Sequence, residues 1–522
     1  MRWPNPSVNT VMQLANAWLS THRYGEGYAY FDALAAQRPL FEALAGVFQA
    51  RSAEDVALLR RVAWVEQAID RLDHAAASDG LSRYLRGQVF LALPDRFGKK
   101  AQGTADMEWV LQNASRFPAG LRRGARDALA GHSGLLSDSS VSAKDGFRFV
   151  PPEVLEPAKG VYVARGYDFA DIAFVATSEG LVAIDAGTTP ATAAPALAAV
   201  RARVDLPIRK VIVTHAHWDH IGGLSSFATP GVEVIARSDY RNELARVSST
   251  GVPFHFFFGE SAEASYSLTP QRMIEKPETL IVGHTRFEII PTAGGETDDA
   301  LLVRVPDAQI TFVGDAFMPY FGAPFVAEGS VDGLLETIGQ LRALGPAALI
   351  PGHAPLTDIF PYAVLEPLAA ALTVVRDATL KSIRDSRTLA EALDENLLPA
   401  VLRDHPDAVV PFLLMRDNAV QRIYAQRSGY WKPDGEGLTV FDDADWAAAL
   451  DLFGADAVAR VARSLNDRGD YAMALRLATP GHRTSPALAL ERHRALEGLR
   501  ARYQFNPFKL IIYSEQAGDD TH

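Results

Sequence analysis

Three histidines and one aspartate fall within six positions of the sequence, in the stretch VIVTHAHWDHIGG at residues 211–223. The β-branched run before them predicts a buried strand, and the two glycines after them predict a tight turn. At strand-like spacing His215 and His217 would point to one side and bind one metal ion. Asp219 and His220 lie in the turn and can face a second ion. Zinc, iron and manganese all accept these imidazole and carboxylate ligands.

A site for two metal ions requires more ligands, and three further candidates follow other predicted strands. Glu296 lies in TAGGET, Asp315 lies in TFVGDA, and His353 lies in LIPGHAP. Each stands beside or close to glycine, which lets the backbone approach a site closely. Because α/β folds usually place their chemistry at the C-terminal ends of strands, we expect these side chains to converge on the histidine cluster.

A change in sequence periodicity predicts the elements that must position these residues. Over residues 151–360, short β-rich runs bounded by Gly, Pro or Asp alternate with helical patterns, which predicts a layered α/β domain. Residues 1–150 have helical periodicity resembling degenerate helical repeats, and they end in a Ser/Gly/Asp-rich linker at Gly131–Gly146. The helical pattern returns over residues 361–522. The sequence therefore predicts three domains.

Composition limits the chemistry and the partners. The chain has 522 residues and no cysteine, which excludes thiol catalysis, disulfides and thiolate metal ligands. The formal net charge of −12 argues against nucleic acid as a partner, because phosphate binding needs a basic face. We find no signal-peptide pattern and no run of about 18 apolar residues. We therefore expect a cytoplasmic protein without a membrane span.

The order T-H-x-H-x-D-H, a strand-end carboxylate, G-D and P-G-H resembles the metallo-β-lactamase superfamily over roughly residues 155–360. This resemblance implies an α/β fold, namely an αββα metallo-β-lactamase-like sandwich flanked by N-terminal and C-terminal all-helical domains. It also implies two metal ions at the edge of the facing sheets, bridged by Asp315 and supported from behind by Asp185. The ligands implied for the first ion are His215, His217 and Glu296. Those implied for the second ion are Asp219, His220 and His353.

Within the superfamily the sequence resembles the alkyl sulfatase branch. That branch has a carboxylate where most of the superfamily has a histidine, and this chain has Glu296 there. The segments NAVQRIYAQRSGYW (418–431) and RGDYAMALRLA (468–478) are similar to the helical dimerisation region of that branch. Asp315 departs from the branch, which usually has glutamate at that position. The resemblance implies a homodimer formed through residues 361–522.

The activity implied is dinuclear, metal-dependent hydrolysis of sulfate or related esters of alkyl or aryl small molecules. Three carboxylates against two divalent cations leave about one positive charge, which lowers the pKa of a bridging water from about 15.7 towards 7. The resulting bridging hydroxide would be the nucleophile, with Asp219, His220 and Asp315 as catalytic residues. Zn²⁺ is the expected metal, and Mn²⁺ or Fe²⁺ would also suit the carboxylate-rich ligand set.

Substrate-binding candidates lie outside the ligand motifs. If the helix NAVQRIY folds over the metal ions, Asn418, Arg422 and Tyr424 can contact the substrate, with Arg422 pairing to a sulfate or carboxylate. His255 in VPFHFFFG can donate a hydrogen bond at the pocket, in a stretch that would act as a hydrophobic lid or as core packing.

Other functions stay open at this stage. The fold also hosts lactone, lactam and phosphodiester hydrolysis. In a different class, the helical regions would bind a partner protein and the metal domain would be structural. A mononuclear iron oxygenase of the same fold is a third reading. All seven ligand positions hold ligand-type residues, which favours a two-metal enzyme.

Overall fold

The computed structural model describes most of the chain, in ranges separated by short gaps. The described residues are 15, 18–19, 23–113, 117, 119–129, 152–249, 269–322, 328–357, 359–395, 397–429, 443–502, 509, 512–513 and 516–517. The chain divides into two compact units, one formed by residues 141–440 and the other by residues 1–140 together with residues 441–522. The predicted linker at Gly131–Gly146 lies outside the described residues.

The unit of residues 141–440 contains two β-sheets. The seven-stranded sheet has the order β1 (Glu153–Ala158), β2 (Val161–Arg165), β3 (Ile172–Thr177), β4 (Gly180–Ile184), β5 (Ile208–Ile212), β6 (Glu233–Arg237) and β7 (Arg272–Ile274). The five-stranded sheet has the order β12 (Ala348–Pro351), β11 (Ile310–Gly314), β10 (Leu301–Val305), β9 (Thr285–Pro291) and β8 (Glu278–Val282). Strands β1 to β4 and β8 to β11 pair antiparallel, whereas β4 to β7 pair parallel and β11 pairs parallel with β12.

The parallel pairs align strand ends at one edge of each sheet. Ile184 of β4 pairs with Ile212 of β5, and Gly314 of β11 pairs with Pro351 of β12. The residues that follow these four ends therefore emerge together, as the carboxyl ends of parallel strands do. The predicted ligand motifs begin directly after three of them.

Each face of the seven-stranded sheet packs against a different layer. In β2, Val161 and Val163 belong to one buried apolar cluster with side chains of the five-stranded sheet, among them Phe287 and Val303. Alternate residues of the same strands, such as Ala164, pack against the outer helices. Burial on both faces explains why these strands are almost continuously apolar. The structure confirms the predicted αββα sandwich.

This unit also contains helices, and three of them follow residue 360. They are Pro190–Arg201, Trp218–Ile221, Leu224–Phe227, Tyr240–Ser249, Val331–Leu344, Ala354–Thr357, Leu365–Arg384, Leu389–Asp394 and Val409–Ser428. The last three belong to the same compact unit as the sheets, whereas the sequence analysis assigned them to a separate C-terminal domain. The three-domain division stays a prediction.

In the other unit, every regular element of the described residues is a helix. The longer helices are Tyr24–Leu34, Pro39–Arg51, Arg61–Ala76, Gly80–Ala92, Lys100–Gln112, Ala119–Leu129, Asp443–Phe453, Ala455–Arg468, Tyr471–Ala478 and Pro486–Arg502. Asp106 is 1% exposed and accepts hydrogen bonds from Nε of Arg83 at 2.7 Å and Nε of Arg86 at 2.8 Å. These pairs join two adjacent helices. None of the helices in the described part of the chain is long and apolar enough to span a membrane.

Candidate metal centre

The seven predicted ligands converge where the strands of both sheets end. One group of candidate ligand atoms comes from His215, His217, Glu296 and Asp315. The other group comes from Asp219, His220, Asp315 and His353. Within each group the ligand atoms lie within 4.8 Å of one another, and Asp315 belongs to both groups. All seven side chains are at most 6% exposed. We call the two groups the first and second half-sites.

The histidine motif is positioned by a strand end and one short helical turn. Strand β5 ends at Ile212, and the extended His217 begins the helix Trp218–Ile221 with φ −75° and ψ 148°. That turn directs Asp219 and His220 away from the strand and into the second half-site. The Trp218 ring stacks on the Phe169 ring at a centroid distance of 5.6 Å, which anchors the turn.

The first half-site joins both sheets. Nδ1 of His217 lies 3.4 Å from Oε1 of Glu296, and Nε2 of His215 lies 3.9 Å from Oδ2 of Asp315. The other carboxylate oxygen of Glu296 accepts a hydrogen bond from the Gly322 amide at 2.8 Å. The glutamate is therefore fixed with one oxygen facing the histidines.

The second half-site is more compact. Nε2 of His353 lies 3.1 Å from Oδ2 of Asp315 and 3.4 Å from Oδ2 of Asp219. Nε2 of His220 lies 3.4 Å and 3.6 Å from the same two oxygens. Two imidazoles and two carboxylates therefore surround one small volume, which is the arrangement that a divalent cation requires.

Asp185 supports the second half-site from behind, as the sequence resemblance implied. Its carboxylate accepts hydrogen bonds from Nδ1 of His220 at 2.8 Å, from the Thr214 amide at 2.7 Å and from Oγ1 of Thr214 at 2.8 Å. The backbone of Asp185 has φ +63°, a value that non-glycine residues rarely adopt. Such strain persists where several contacts fix the residue, and it is common at functional sites.

The remaining histidines also donate from the nitrogen that faces away from the site. Nδ1 of His215 lies 3.0 Å from Oγ1 of Thr214, and Nδ1 of His353 donates to the carbonyl of Phe169 at 3.0 Å. Nε2 of His217 donates to Oε1 of Glu328 at 2.7 Å. Each imidazole is thereby held with its other nitrogen towards the site, which is the usual arrangement around metal-binding histidines.

Sequence analysis missed Glu328. It is 2% exposed and lies 111 positions from His217 along the chain. The available signal was a carboxylate inside the apolar run FVAEG, which follows the Gly-Asp motif. A buried carboxylate in such a run requires a partner. Nothing in the local sequence identifies that partner as His217.

The ligand atoms fit divalent cations. Nε2 of His215, Nε2 of His220 and Oδ1 of Asp315 are buried and have no hydrogen-bond partner within the described part of the chain. Buried polar atoms nearly always have a partner, so three such atoms in one cluster indicate a bound species. Nitrogen and carboxylate oxygen are the atoms that Zn²⁺, Mn²⁺ and Fe²⁺ accept.

Burial and neighbouring charges shift the pKa values of the first half-site in different directions. Burial, reinforced by the neighbouring His220 and His217, lowers the pKa of His215 well below its ordinary value, which favours the neutral form that binds metals. Burial also lowers the pKa of His217, but the charge of Glu328 and its hydrogen bond outweigh this and raise the pKa to about 10. Burial raises the pKa of Glu296 to about 8. A divalent cation would satisfy these buried groups together.

Among the substrate-binding candidates, Arg422 is influenced by the charge of the candidate ligand Glu296. Its guanidinium is half-buried and donates to the Tyr320 carbonyl at 3.3 Å. Burial lowers the pKa of Arg422, and the charges of Glu296 and Glu328 oppose that shift. Asn418 lies one helical turn earlier and is half-buried.

Tyr424 contacts a different part of the described chain. The hydroxyl of Tyr424 donates to the carbonyls of Arg387 at 3.1 Å and Thr388 at 3.3 Å, in the turn before helix Leu389–Asp394. These contacts give Tyr424 a structural role and lend no support to the predicted substrate contact, because its polar atom already serves the turn. His255 lies outside the described residues.

Comparison with known proteins agrees with this architecture. Residues 165–353 match the family model described as the metallo-beta-lactamase superfamily. The alkyl/aryl-sulfatase BDS1 of Saccharomyces cerevisiae is 24% identical over 276 residues, which cover 41% of this chain and 42% of that protein. The chain therefore spans less than half the length of this curated relative.

The similarity of fold extends beyond the matched domain. The structure of the stereoselective inverting sec-alkylsulfatase Pisa1 from Pseudomonas sp. aligns with a TM-score of 0.59 and 21% identity, over 71% of this chain and 66% of that chain. A double mutant of Pisa1 aligns with a TM-score of 0.58 and 20% identity over the same shares. All seven candidate ligands lie within the span of the family model. Residues 165–353 therefore form a domain of the metallo-β-lactamase superfamily, and the fold of the chain is similar to that of the sec-alkylsulfatase Pisa1.

Proposed function

We propose that this chain is a dinuclear metal-dependent hydrolase that cleaves sulfate esters of alkyl or aryl small molecules. The observation that carries the proposal is the pair of buried half-sites that share Asp315. They contain ligand atoms without a hydrogen-bond partner among the described residues. The names of the similar proteins, an alkyl/aryl-sulfatase and a sec-alkylsulfatase, support sulfate esters as the substrate class.

Three residues would bind each cation, and one further residue would bind both. His215, His217 and Glu296 would hold one ion, and Asp219, His220 and His353 would hold the other, with Asp315 bound to both. Two such cations, once bound, lower the pKa of water from about 15.7 towards 7 and so supply a nucleophile without serine or cysteine. We expect Zn²⁺, with Mn²⁺ or Fe²⁺ also suited to three carboxylate ligands.

Arg422 would bind the anionic part of the substrate. A sulfate ester carries a negative charge, and the planar guanidinium matches its oxygens in a charge-assisted, bidentate pair. The Tyr320 carbonyl holds the Arg422 guanidinium, and Asn418 lies one turn away on the same helix. The site would thus combine two cations for the reacting atoms with a third positive group for the sulfate.

Metal analysis followed by a substrate panel tests the proposal. The panel contains alkyl sulfates, aryl sulfates, lactones, lactams and phosphodiesters. We expect two metal ions per chain, hydrolysis of sulfate esters, and loss of that activity in His217→Ala. The exposed His284, in the turn between β8 and β9, provides the matched control, since His284→Ala removes an imidazole that is not among the candidate ligands.

Three results would contradict the proposal. They are a native protein without metal, an active His217→Ala variant, and turnover confined to lactones, lactams or phosphodiesters. The last of these would reassign the substrate within the superfamily. Two bound ions without turnover of any substrate would favour the interaction module with a structural metal domain.

We also propose a homodimer formed through the helices of residues 361–522. The support is the resemblance of segments 418–431 and 468–478 to the dimerisation region of alkyl sulfatases. Light scattering coupled to size-exclusion chromatography would give a mass near twice the 56.6 kDa of one chain. A mass of one chain at micromolar concentration would refute the dimer and leave the hydrolase proposal intact.

A further inference from the structure

The two half-sites contain the same kinds of ligand. Each contains two imidazole nitrogens and one carboxylate of its own, Glu296 in the first and Asp219 in the second. Each also contains the shared Asp315. The formal charge of the ligands is therefore equal in the two half-sites.

The hydrogen-bond partners of the histidines are also of the same kinds in the two half-sites. In each half-site, one histidine donates to a buried carboxylate: His217 donates to Glu328 at 2.7 Å, and His220 donates to Asp185 at 2.8 Å. The other histidine of each half-site contacts a neutral oxygen. His215 contacts the Thr214 hydroxyl at 3.0 Å, and His353 contacts the Phe169 carbonyl at 3.0 Å.

A carboxylate behind a metal-binding imidazole has a known physical effect. It fixes the tautomer and the ring orientation and raises the basicity of the ligand nitrogen. Removal of such a group typically weakens metal binding by about 10- to 100-fold. Glu328 and Asp185 are 2% and 3% exposed, so water screens neither interaction appreciably.

The backbone that follows Glu328 is fixed by close packing and hydrogen bonds. Gly329 has φ +64°, and a Cβ atom there would clash with the carbonyl oxygens of Glu296 and Phe321. Nε2 of Gln426 donates to the Gly329 carbonyl at 2.8 Å, and Ser330 caps the next helix by accepting from the Gly333 amide. The position of Glu328 is thus set by glycine geometry and by the first turn of a helix.

We propose that Glu328 is a positioning residue for His217, as Asp185 is for His220. Because each half-site then has one histidine oriented by a buried carboxylate, both half-sites bind the same cation with similar affinity. The inference rests on the proposed two-metal function. It goes further by assigning to Glu328 a role that neither the ligand motifs nor the comparisons indicate.

Variants that leave one half-site intact provide the test. His220→Ala leaves the first half-site able to bind Zn²⁺, and His217→Ala leaves the second. Calorimetric titration with Zn²⁺ then gives one dissociation constant for each background. We expect these two constants to agree within about tenfold, because the ligand sets match.

Glu328→Gln is then introduced into each background. Glutamine keeps the size and the acceptor oxygen but removes the charge. We expect a dissociation constant weakened about 10-fold or more with His220→Ala and unchanged with His217→Ala. Asp185→Asn should give the opposite pattern. Glu491→Gln is the matched control, since Glu491 is also buried but pairs with Arg463 at 2.9 Å in the helical unit.

The results separate this inference from the function on which it rests. An equal effect of Glu328→Gln in both backgrounds, or no effect in either, would overturn the positioning role. So would half-site constants that differ more than a hundredfold. If Glu328→Gln does not fold, as judged by circular dichroism, Glu328→Asp is tested against the same criteria. Failure of the wild-type chain to bind two ions would overturn the proposed function itself, whereas two matched ions without hydrolysis would leave this inference standing.

Discussion

Gly352→Ala should disable the metal centre without removing any ligand. Gly352 precedes His353, and an added Cβ atom would clash with Oδ1 of Asp315 and stand 2.7 Å from Cε1 of His220. Ordinary contacts of this kind begin near 3.4 Å, so the His220 ring would have to shift by about 0.7 Å. Gly352 does not have a positive φ, so alanine is compatible with its backbone.

The size of the effect follows from that displacement. A misplacement of about 1 Å at a reacting centre costs on the order of 100-fold in rate, so we expect kcat/KM to fall by about 30- to 100-fold. The cost in folding free energy should be smaller, about 1–3 kcal/mol, as for other small-to-large changes in packed sites. Zn²⁺ content and kcat/KM for an alkyl sulfate measure the first effect, and urea denaturation measures the second.

Gly339→Ala is the control for this experiment. Gly339 lies in the helix Val331–Leu344, and a Cβ atom there meets nothing within 4 Å. Alanine should stabilise this helix by about 0.5–1 kcal/mol and leave kcat/KM unchanged. A Gly352→Ala variant with two bound ions and full activity would refute the assignment of Asp315 and His220 to a closely packed metal centre.

Three further perturbations have expected outcomes. Arg422→Ala should lower kcat/KM for sulfate esters by about 10- to 100-fold, because a charge-assisted hydrogen bond contributes about 1.5–3 kcal/mol. The metal content should stay at two ions per chain, and unchanged kinetics would show that Arg422 does not bind the substrate. Chelation by EDTA should abolish activity and lower the free energy of unfolding of the sheet-containing unit. If the free metal concentration was 1,000 times the dissociation constant, the loss is about 4 kcal/mol per ion, and calorimetry with and without Zn²⁺ measures it. In the helical unit, Asp106→Ala should cost about 1–3 kcal/mol, because it removes charged hydrogen bonds from Arg83 and Arg86 while Arg86 keeps its pair with Asp73. A loss under about 0.5 kcal/mol in urea denaturation would show that these pairs do not stabilise the unit.

The candidate ligand residues could be identified from the sequence because their signal is local. His215 and His217 follow a β-branched run, and Asp315 follows a shorter one, so residue type and strand end identify each position without knowledge of the fold. Parallel pairing then brings the strand ends to one edge, as the general behaviour of α/β sheets predicts. The αββα sandwich could be predicted for the same reason, together with the family resemblance.

Contacts between distant segments could not be predicted in the same way. Glu328 contacts His217 across 111 positions, and nothing in the local sequence of either residue indicates this pairing. Tyr424 shares a helix with Arg422, yet its hydroxyl serves a turn between other helices. Helical periodicity predicts which residues share a face, but it does not say which neighbouring segment that face contacts.

The central claim is that two cations share Asp315 within one buried site. Anomalous diffraction from crystals of the Zn²⁺-loaded protein, recorded at the zinc absorption edge, tests it most directly. The account predicts two peaks, one among His215, His217 and Glu296 and the other among Asp219, His220 and His353, with Asp315 contacting both. A single peak, or two peaks that do not share Asp315, would contradict it.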